Sequence, residues 1–269
     1  MKKLLSIFCA FLLCLACSQE KPIEKTTIGM FTPYTYFPEV VNGKVMEVTE
    51  TNFLPVKKED KIEAGIPLSI AARDSINWTN DFKVQFNTSG LAEKTVTFGD
   101  NGEILSSWEI SSNDNFYTSA KRIVKDSLTH KETISETKMG TYKIEIFDPV
   151  TDTLRNYLLI DLNNDKAYLN IQWQNSKGDL TYRYDYIYDD AGQFAGYKVS
   201  RADTVLGGMN FTRNEQGFMK DQEVYNSANE TSETTIYEYE YDTNGNWIKC
   251  VAYQNQKPYM VALREYKYY

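Results

Sequence analysis

Six short strings ending in glycine punctuate this chain: F-N-T-S-G at Gly90, F-G-D-N-G at Gly102, Q-N-S-K-G at Gly178, Y-D-D-A-G at Gly192, R-N-E-Q-G at Gly217 and Y-D-T-N-G at Gly245. In a loop of the D/N-x-x-G kind the Asp or Asn bonds forward to the backbone, the middle residues take a type I turn, and glycine accepts the positive φ of the bulge that follows. Each copy therefore predicts a hairpin. The glycines lie 12 and 14 residues apart where consecutive turns carry the motif, and 25 and 28 where another turn intervenes. That spacing leaves strands of about seven to ten residues. Turns at the opposite end then fall near Arg201 to Gly208, Asn226 to Thr231 and Gln254 to Pro258, all rich in turn formers. The expected fold is all-β, an antiparallel β-meander of many hairpins, drawn as a single elongated, twisted sheet or an open half-barrel.

Side-chain alternation supports this reading in the C-terminal half. Tyr182, Tyr184, Tyr186 and Tyr188 point one way and Arg183, Asp185 and Ile187 the other; Tyr237, Tyr239 and Tyr241 oppose Glu238 and Glu240. Tyr266 and Tyr268 continue the pattern, making the last strand integral to the sheet. A charged face opposite an aromatic one points to the tyrosines as the buried side, held by cross-strand aromatic pairs. The alternative is that Tyr182, Tyr184, Tyr186, Tyr188, Tyr237, Tyr239 and Tyr241 form a candidate ligand platform, since aromatic rings with polar tips stack on sugars. A lipid-facing barrel would place Val, Leu and Phe at mid-strand and Tyr only at the girdles, so a soluble sheet is expected.

The N-terminal half is less regular. Thr27 to Phe31 and Lys44 to Phe53 read as strands around the Asn42-Gly43 turn, and Lys57 to Asp81 loses alternation. Within it, residues 67–75 predict a short helix opened by Pro67 and lying over one end of the sheet. Strand character resumes at Asn115 to Lys125, Lys131 to Lys138, Thr141 to Phe147 and Leu154 to Leu162. One domain over residues 26–269 is expected, with a division near residue 150 as the alternative.

The Y-D-x-x-G turns flanked by Y-x-Y strands, fullest in T-T-I-Y-E-Y-E-Y-D-T-N-G-N-W-I-K from Thr234 to Lys249, resemble the tyrosine-aspartate (YD, Rhs-like) repeats of bacterial surface proteins. The architecture is similar to the YD-repeat lipoproteins of the Bacteroidota, clearest over residues 166–269 and weaker between Phe82 and Ile110. In the large Rhs proteins such repeats wind into a shell around a toxin; this chain is too short for a shell, so encapsulation is not implied. Asp74-Ser75-Ile76, Asp126-Ser127-Leu128, Asp152-Thr153-Leu154 and Asp203-Thr204-Val205 resemble the D-S/T-aliphatic O-glycosylation sequon of that phylum.

The leader agrees with a lipoprotein. Met1-Lys2-Lys3, the apolar run from Leu4 to Ala16 and then Cys17 resemble a bacterial lipobox, with Cys14 where an aliphatic residue, most often Leu, usually stands. The expectation is a signal peptide over residues 1–16, lipid attachment at Cys17, a polar tether over residues 17–25, and an outer-membrane lipoprotein facing the periplasm or the surface. The lipid bilayer is then one partner, through the acyl chains. Of the four cysteines only Cys250 stays outside the leader as a thiol, and W-I-K-C-V-A-Y reads as a strand in which it is a small buried residue. With 37 acidic against 29 basic residues the chain is acidic, and nucleic acid is disfavoured as a partner.

No catalytic, cofactor or metal residue is assigned. The lone histidine, His130, follows Asp126 and Ser127 in D-S-L-T-H, which reads as a polar turn rather than a convergent triad. Asp161-Leu162-Asn163-Asn164-Asp165 opens like a calcium loop, but Lys166 and Gln172 stand where Gly and an acid are needed, so a plain turn is expected. The functional expectation is a non-enzymatic protein that binds a protein or glycan partner. The alternatives are a carboxylate-dependent enzyme acting on polysaccharide and a structural surface spacer.

Overall fold

A computed structural model describes residues 24–31, 39–76, 78–113, 116–163 and 167–269. The leader, Cys17 and most of the tether lie outside the described residues. Among the described residues the elements are β1 (Lys25–Ile28), β2 (Glu39–Asn42), β3 (Val45–Lys58), β4 (Lys61–Pro67), α1 (Ile70–Ser75), β5 (Phe82–Phe86), β6 (Ala92–Phe98), β7 (Ile104–Ser112), β8 (Tyr117–Val124), β9 (Ser127–Lys138), β10 (Thr141–Phe147), β11 (Leu154–Leu162), β12 (Tyr168–Asn175), β13 (Leu180–Tyr188), β14 (Phe194–Arg201), β15 (Thr204–Arg213), β16 (Met219–Asn226), β17 (Thr231–Tyr241), β18 (Trp247–Gln254) and β19 (Lys257–Tyr268).

The motif turns form as the sequence predicts. Asp242 shows how: its Oδ1 accepts from the N–H groups of Asn244 and Asn246 at 2.9 and 2.8 Å, and Gly245 adopts φ 79°. Each turn is accompanied by a one-residue register shift, as beside Phe86, Tyr188, Arg213 and Tyr241. Shifts also recur at turns without the motif, beside Ser200, Tyr225 and Tyr253.

Bulges bend and twist the strands that carry them, and repeated around a meander they curl the sheet onto itself. The open sheet or half-barrel expected from the sequence is thereby corrected: β5 to β19 pair in series, and β3 seals the ring between β19 and β5 to give a closed antiparallel barrel of sixteen strands. β3 supplies Glu47–Glu50 to β5, leaves the ring after Phe53, and then pairs with β4. The β3–β4 hairpin folds onto the outer face, where Glu63 meets Lys249 at 3.2 Å. β10 and β11, on either side of residue 150, are neighbours in the same ring.

The short helix begins at Ile70, not Pro67, because Pro67 ends β4 and Ser69 caps the helix by accepting from the Ala72 N–H. Its fully buried Arg73 pairs with Asp81 at 2.7 Å, and Trp78 donates to Asn52 at 2.8 Å. These ties seat the segment where β3 departs from the ring.

Alternation now has a meaning in three dimensions. Outward positions carry charge along the strands: Glu109, Lys121 and Lys131 align across β7, β8 and β9, while Lys143 pairs with Glu145 and Arg183 with Asp185, each at 2.7 Å. These charges interrupt the continuous apolar band that a barrel in lipid carries, and they stand beside exposed Leu169, Ile187 and Ile236. Inward positions hold the aromatic core, with Phe82, Ile160, Ile171, Tyr186 and Tyr237 all buried.

Candidate functional site

A ring of sixteen strands encloses more space than one layer of inward side chains fills. The β1–β2 pair enters that space. Its contacts come from three sectors of the ring, β6 to β8, β18 and β19, and β12, where the Tyr168 hydroxyl bonds with the Met30 backbone, and a segment that meets all three lies in the lumen. Thr95 of β6 donates to the Phe31 carbonyl at 2.6 Å, and the Phe31 ring meets Trp108 and Tyr117 at 5.6 and 5.2 Å. From β18 and β19, Trp247 and Arg264 donate to Glu39 at 2.9 and 2.7 Å. Asn246 clamps the Asn42 backbone from both sides, accepting from its N–H and donating to its carbonyl at 2.7 Å each.

Strand direction sorts the turns. Those at Gly90, Gly192, Gly217 and Gly245 gather at one end with the start of β3, and those at Gly102 and Gly178 at the other. The first end forms a mouth, and in it opens a cavity of about 680 Å³ between the insert and the turns. Lys25 and Thr27 border it on the insert side; Phe116, Tyr188, Phe194 and Arg213 border it on the wall side. Arg213 is oriented by donating from Nε to the Phe194 carbonyl at 2.9 Å. Burial pushes the Tyr117 and Tyr188 phenols up to about 12, so both stay neutral hydroxyls. Tyr188 donates to the Tyr168 carbonyl at 2.5 Å, which fixes its ring at the rim. The arrangement offers aromatic faces, a guanidinium and amide groups; Glu215 is the one carboxylate among its described lining residues.

The seven tyrosines of the candidate platform divide. Tyr186 and Tyr237 are buried, and Tyr184, Tyr239 and Tyr241 pack against the core. Their hydroxyls are used within the wall: Tyr237 donates to Gln222 at 2.9 Å and Tyr239 to the Met219 carbonyl at 2.6 Å, while Tyr241 accepts from Asn214 at 2.8 Å. Tyr188 borders the mouth cavity. Tyr182 lies toward the opposite end, 37% exposed, with Arg201 over its ring at 5.9 Å.

Phe194, Arg213, β2 and the place of the β1–β2 pair inside the ring escaped the sequence reading, which had a strand at Thr27 to Phe31. One local signal was present, an aromatic two residues after the turn glycine in Gly192-Gln193-Phe194 and Gly245-Asn246-Trp247. His130 is also placed differently. The turn is Lys125–Asp126, and Ser127 to His130 belong to β9, where His130 Nδ1 meets Thr129 Oγ1 at 3.1 Å and Asp126 takes no part. Asp161 accepts from Thr141 at 2.6 Å and Asn170 at 2.9 Å; residues 164–166 of the calcium-like string lie outside the described residues. Cys250 is buried, and desolvation pushes its thiol well up.

No family model matches the chain, and no curated protein matches it. Among solved structures it is similar to a porin-like protein from Bacteroides uniformis, at 10% identity over 83% of this chain and 98% of that one, with a TM-score of 0.33. It is also similar to part of the Photorhabdus luminescens Tc holotoxin pore, at 10% identity over 84% of this chain and 19% of that one, and to part of the TcdB2-TccC3 structure, at 11% over 83% and 18%, each with a TM-score of 0.18. At these scores the likenesses carry no argument about fold or function.

Proposed function

We propose that this protein is a non-enzymatic lipoprotein of the outer membrane, held by an acylated Cys17, that binds a glycan at the mouth of its barrel. The observation that carries the binding reading is the cavity of about 680 Å³, bounded by the rings of Phe116, Tyr188 and Phe194 with Arg213 and turn backbone beside them. Aromatic faces cover the apolar faces of a sugar, and the surrounding amides, carbonyls and guanidinium match its hydroxyls. A two-carboxylate hydrolysis needs paired acids about 5–9.5 Å apart, and the described lining offers Glu215 without such a partner.

The test is an array of host and microbial glycans probed with the intact chain in lipid vesicles, followed by calorimetry on any hit. Saturable binding that weakens about tenfold in Tyr188→Ala or Phe194→Ala, with the melting curve kept, supports the reading. Hydrolysis of a bound glycan, or binding that neither change affects, overturns it. Palmitate labelling lost in Cys17→Ser supports the anchor; a labelled Cys17→Ser chain removes it.

A further inference from the structure

A second cavity, of about 250 Å³, lies in the lumen against β7 to β12, with Met30 and Tyr168 bordering both it and the mouth. Its wall is built mainly from branched aliphatic and aromatic side chains, Trp108 and Trp173 among them. Its polar groups are set by strand register: Arg122 stands opposite His130, and Ile146 stands between Glu132 and Asn156.

Two of these groups are unmatched. Glu132 is 6% exposed, and its carboxyl has no hydrogen-bond partner among the described residues; the one charge acting on it is Arg122. Arg122 Nε is buried and also lacks a partner, because the guanidinium lies over the Trp108 ring at 5.8 Å instead of pairing with Glu132. Buried donors and acceptors are almost always satisfied, so the unpartnered Arg122 Nε beside the Glu132 carboxyl on one cavity wall calls for a further polar group, from water or from a ligand.

We infer that this cavity binds a small aromatic carboxylic acid, its carboxylate held between the Arg122 guanidinium and the Glu132 carboxyl, and its ring against Trp108 and Trp173. The charge balance selects the ligand. Burial raises Glu132 to about 7, so it is readily protonated and can donate. Burial, with Arg122 and Arg155, holds His130 below its usual range, which favours its neutral form. Arg122 is then the lasting charge facing the cavity. A cationic ligand would lie against it, and an uncharged one would leave it without a counter-ion. From the neighbouring elements the groups facing Glu132 are Trp108 of β7, Arg122 of β8, His130 of β9 itself, Ile144 and Ile146 of β10, Asn156 of β11, and Tyr168 and Trp173 of β12. A carboxylate entering here takes up one proton, which resides on Glu132 and is shared in the new hydrogen bond.

The experiment titrates the intact chain in phosphatidylcholine vesicles with 3-phenylpropionate, 3-phenylpropanol and 3-phenylpropylammonium, using empty vesicles as the blank. The acid is expected to bind at least about tenfold more tightly than the alcohol or the amine. Its affinity should fall about tenfold from pH 6 to pH 8, as the fraction of Glu132 that is protonated falls. Glu132→Gln, which keeps a donor, should retain acid binding and abolish the pH dependence; Arg122→Met should weaken it about tenfold or more. Equal binding of acid and alcohol, preference for the amine, a pH dependence that survives in Glu132→Gln, or no heat with any probe overturns the inference. Because the mouth residues are left intact, failure here says nothing against the mouth, and failure of Tyr188→Ala says nothing against this cavity.

Discussion

Arg264 and Glu50 face each other from β19 and β3 with fully buried side chains 2.8 Å apart, and the Arg264 guanidinium also lies over the Trp247 ring at 3.8 Å and reaches Glu39 of the insert. A buried pair of this kind is weak evidence of net stability, yet breaking it strands a charge. Glu50→Ala should therefore cost about 3–5 kcal/mol, read by urea denaturation; a cost below about 1 kcal/mol would mean that Glu39 alone compensates the guanidinium. Glu132 gives the opposite signature. Its folded value is raised from 4.5 to about 7, so as pH rises the unfolded chain ionises first while the native state still holds its proton. The stability present below about pH 4.5 is lost as pH rises through 7, and Glu132→Gln should be the more stable form at pH 8 by about 2–4 kcal/mol. Equal denaturation midpoints for the two proteins at pH 8 would contradict the burial of that carboxyl. His130 shows why such residues are hard to read from sequence: in D-S-L-T-H the turn signal of Asp126 is strong, and only the start of pairing at Ser127 turns the histidine into a strand residue.

At the scale of elements, the hairpins were legible because everything that forms them lies within a few residues. Asp189 accepts from the Ala191 and Gln193 N–H groups, and this local bonding is written in D-D-A-G. Asp242 makes the same two bonds and additionally accepts from the Tyr268 hydroxyl at 2.8 Å, which ties the turn to the last strand. Asp189→Ala should cost about 1 kcal/mol and Asp242→Ala about twice that, measured by thermal melts of the two variants side by side. Equal costs would remove the tie to Tyr268. The elements that stayed hidden are those with distant partners. β2 reaches Asn246 from Asn42, 204 residues away in sequence, and β4 rests on the outer half of β3 within a stretch whose alternation is broken at Pro55. The Phe194 and Arg213 sides of the mouth were hidden for the same reason, since each faces a cavity only once the ring has closed.

The molecule as a whole is a ring, and the ring was the part the sequence could not disclose. Period-two alternation says which face is buried but not what buries it; here the aromatic rings are covered by their neighbours around the ring and by the chain's own first strands. Closure depends on one seam, with Tyr266 opposite Val48 and Arg264 opposite Glu50. Deleting Lys257 to Tyr269 would open two edges, on β18 and β3, and expose the aromatic interior. The expected result is loss of the single cooperative calorimetric transition and association of the truncated chain; a sharp, monomeric transition in the truncated protein would show that the seam is dispensable. The insert carries a further consequence, a mechanical one. β1 and β2 are joined to the rest of the molecule at the same end, so a pull on Glu24 with Asn42 fixed at the rim loads the bond from the Gly43 N–H to the Glu24 carbonyl first, then the Lys25↔Asn42 pair and the inner pairs one after another. Hydrogen bonds loaded in sequence peel, whereas those of a barrel wall loaded along the strands share the load. Were the barrel held by its N-terminal segment, as proposed, drag would draw its own stopper like a cork on a string, long before the staves give way.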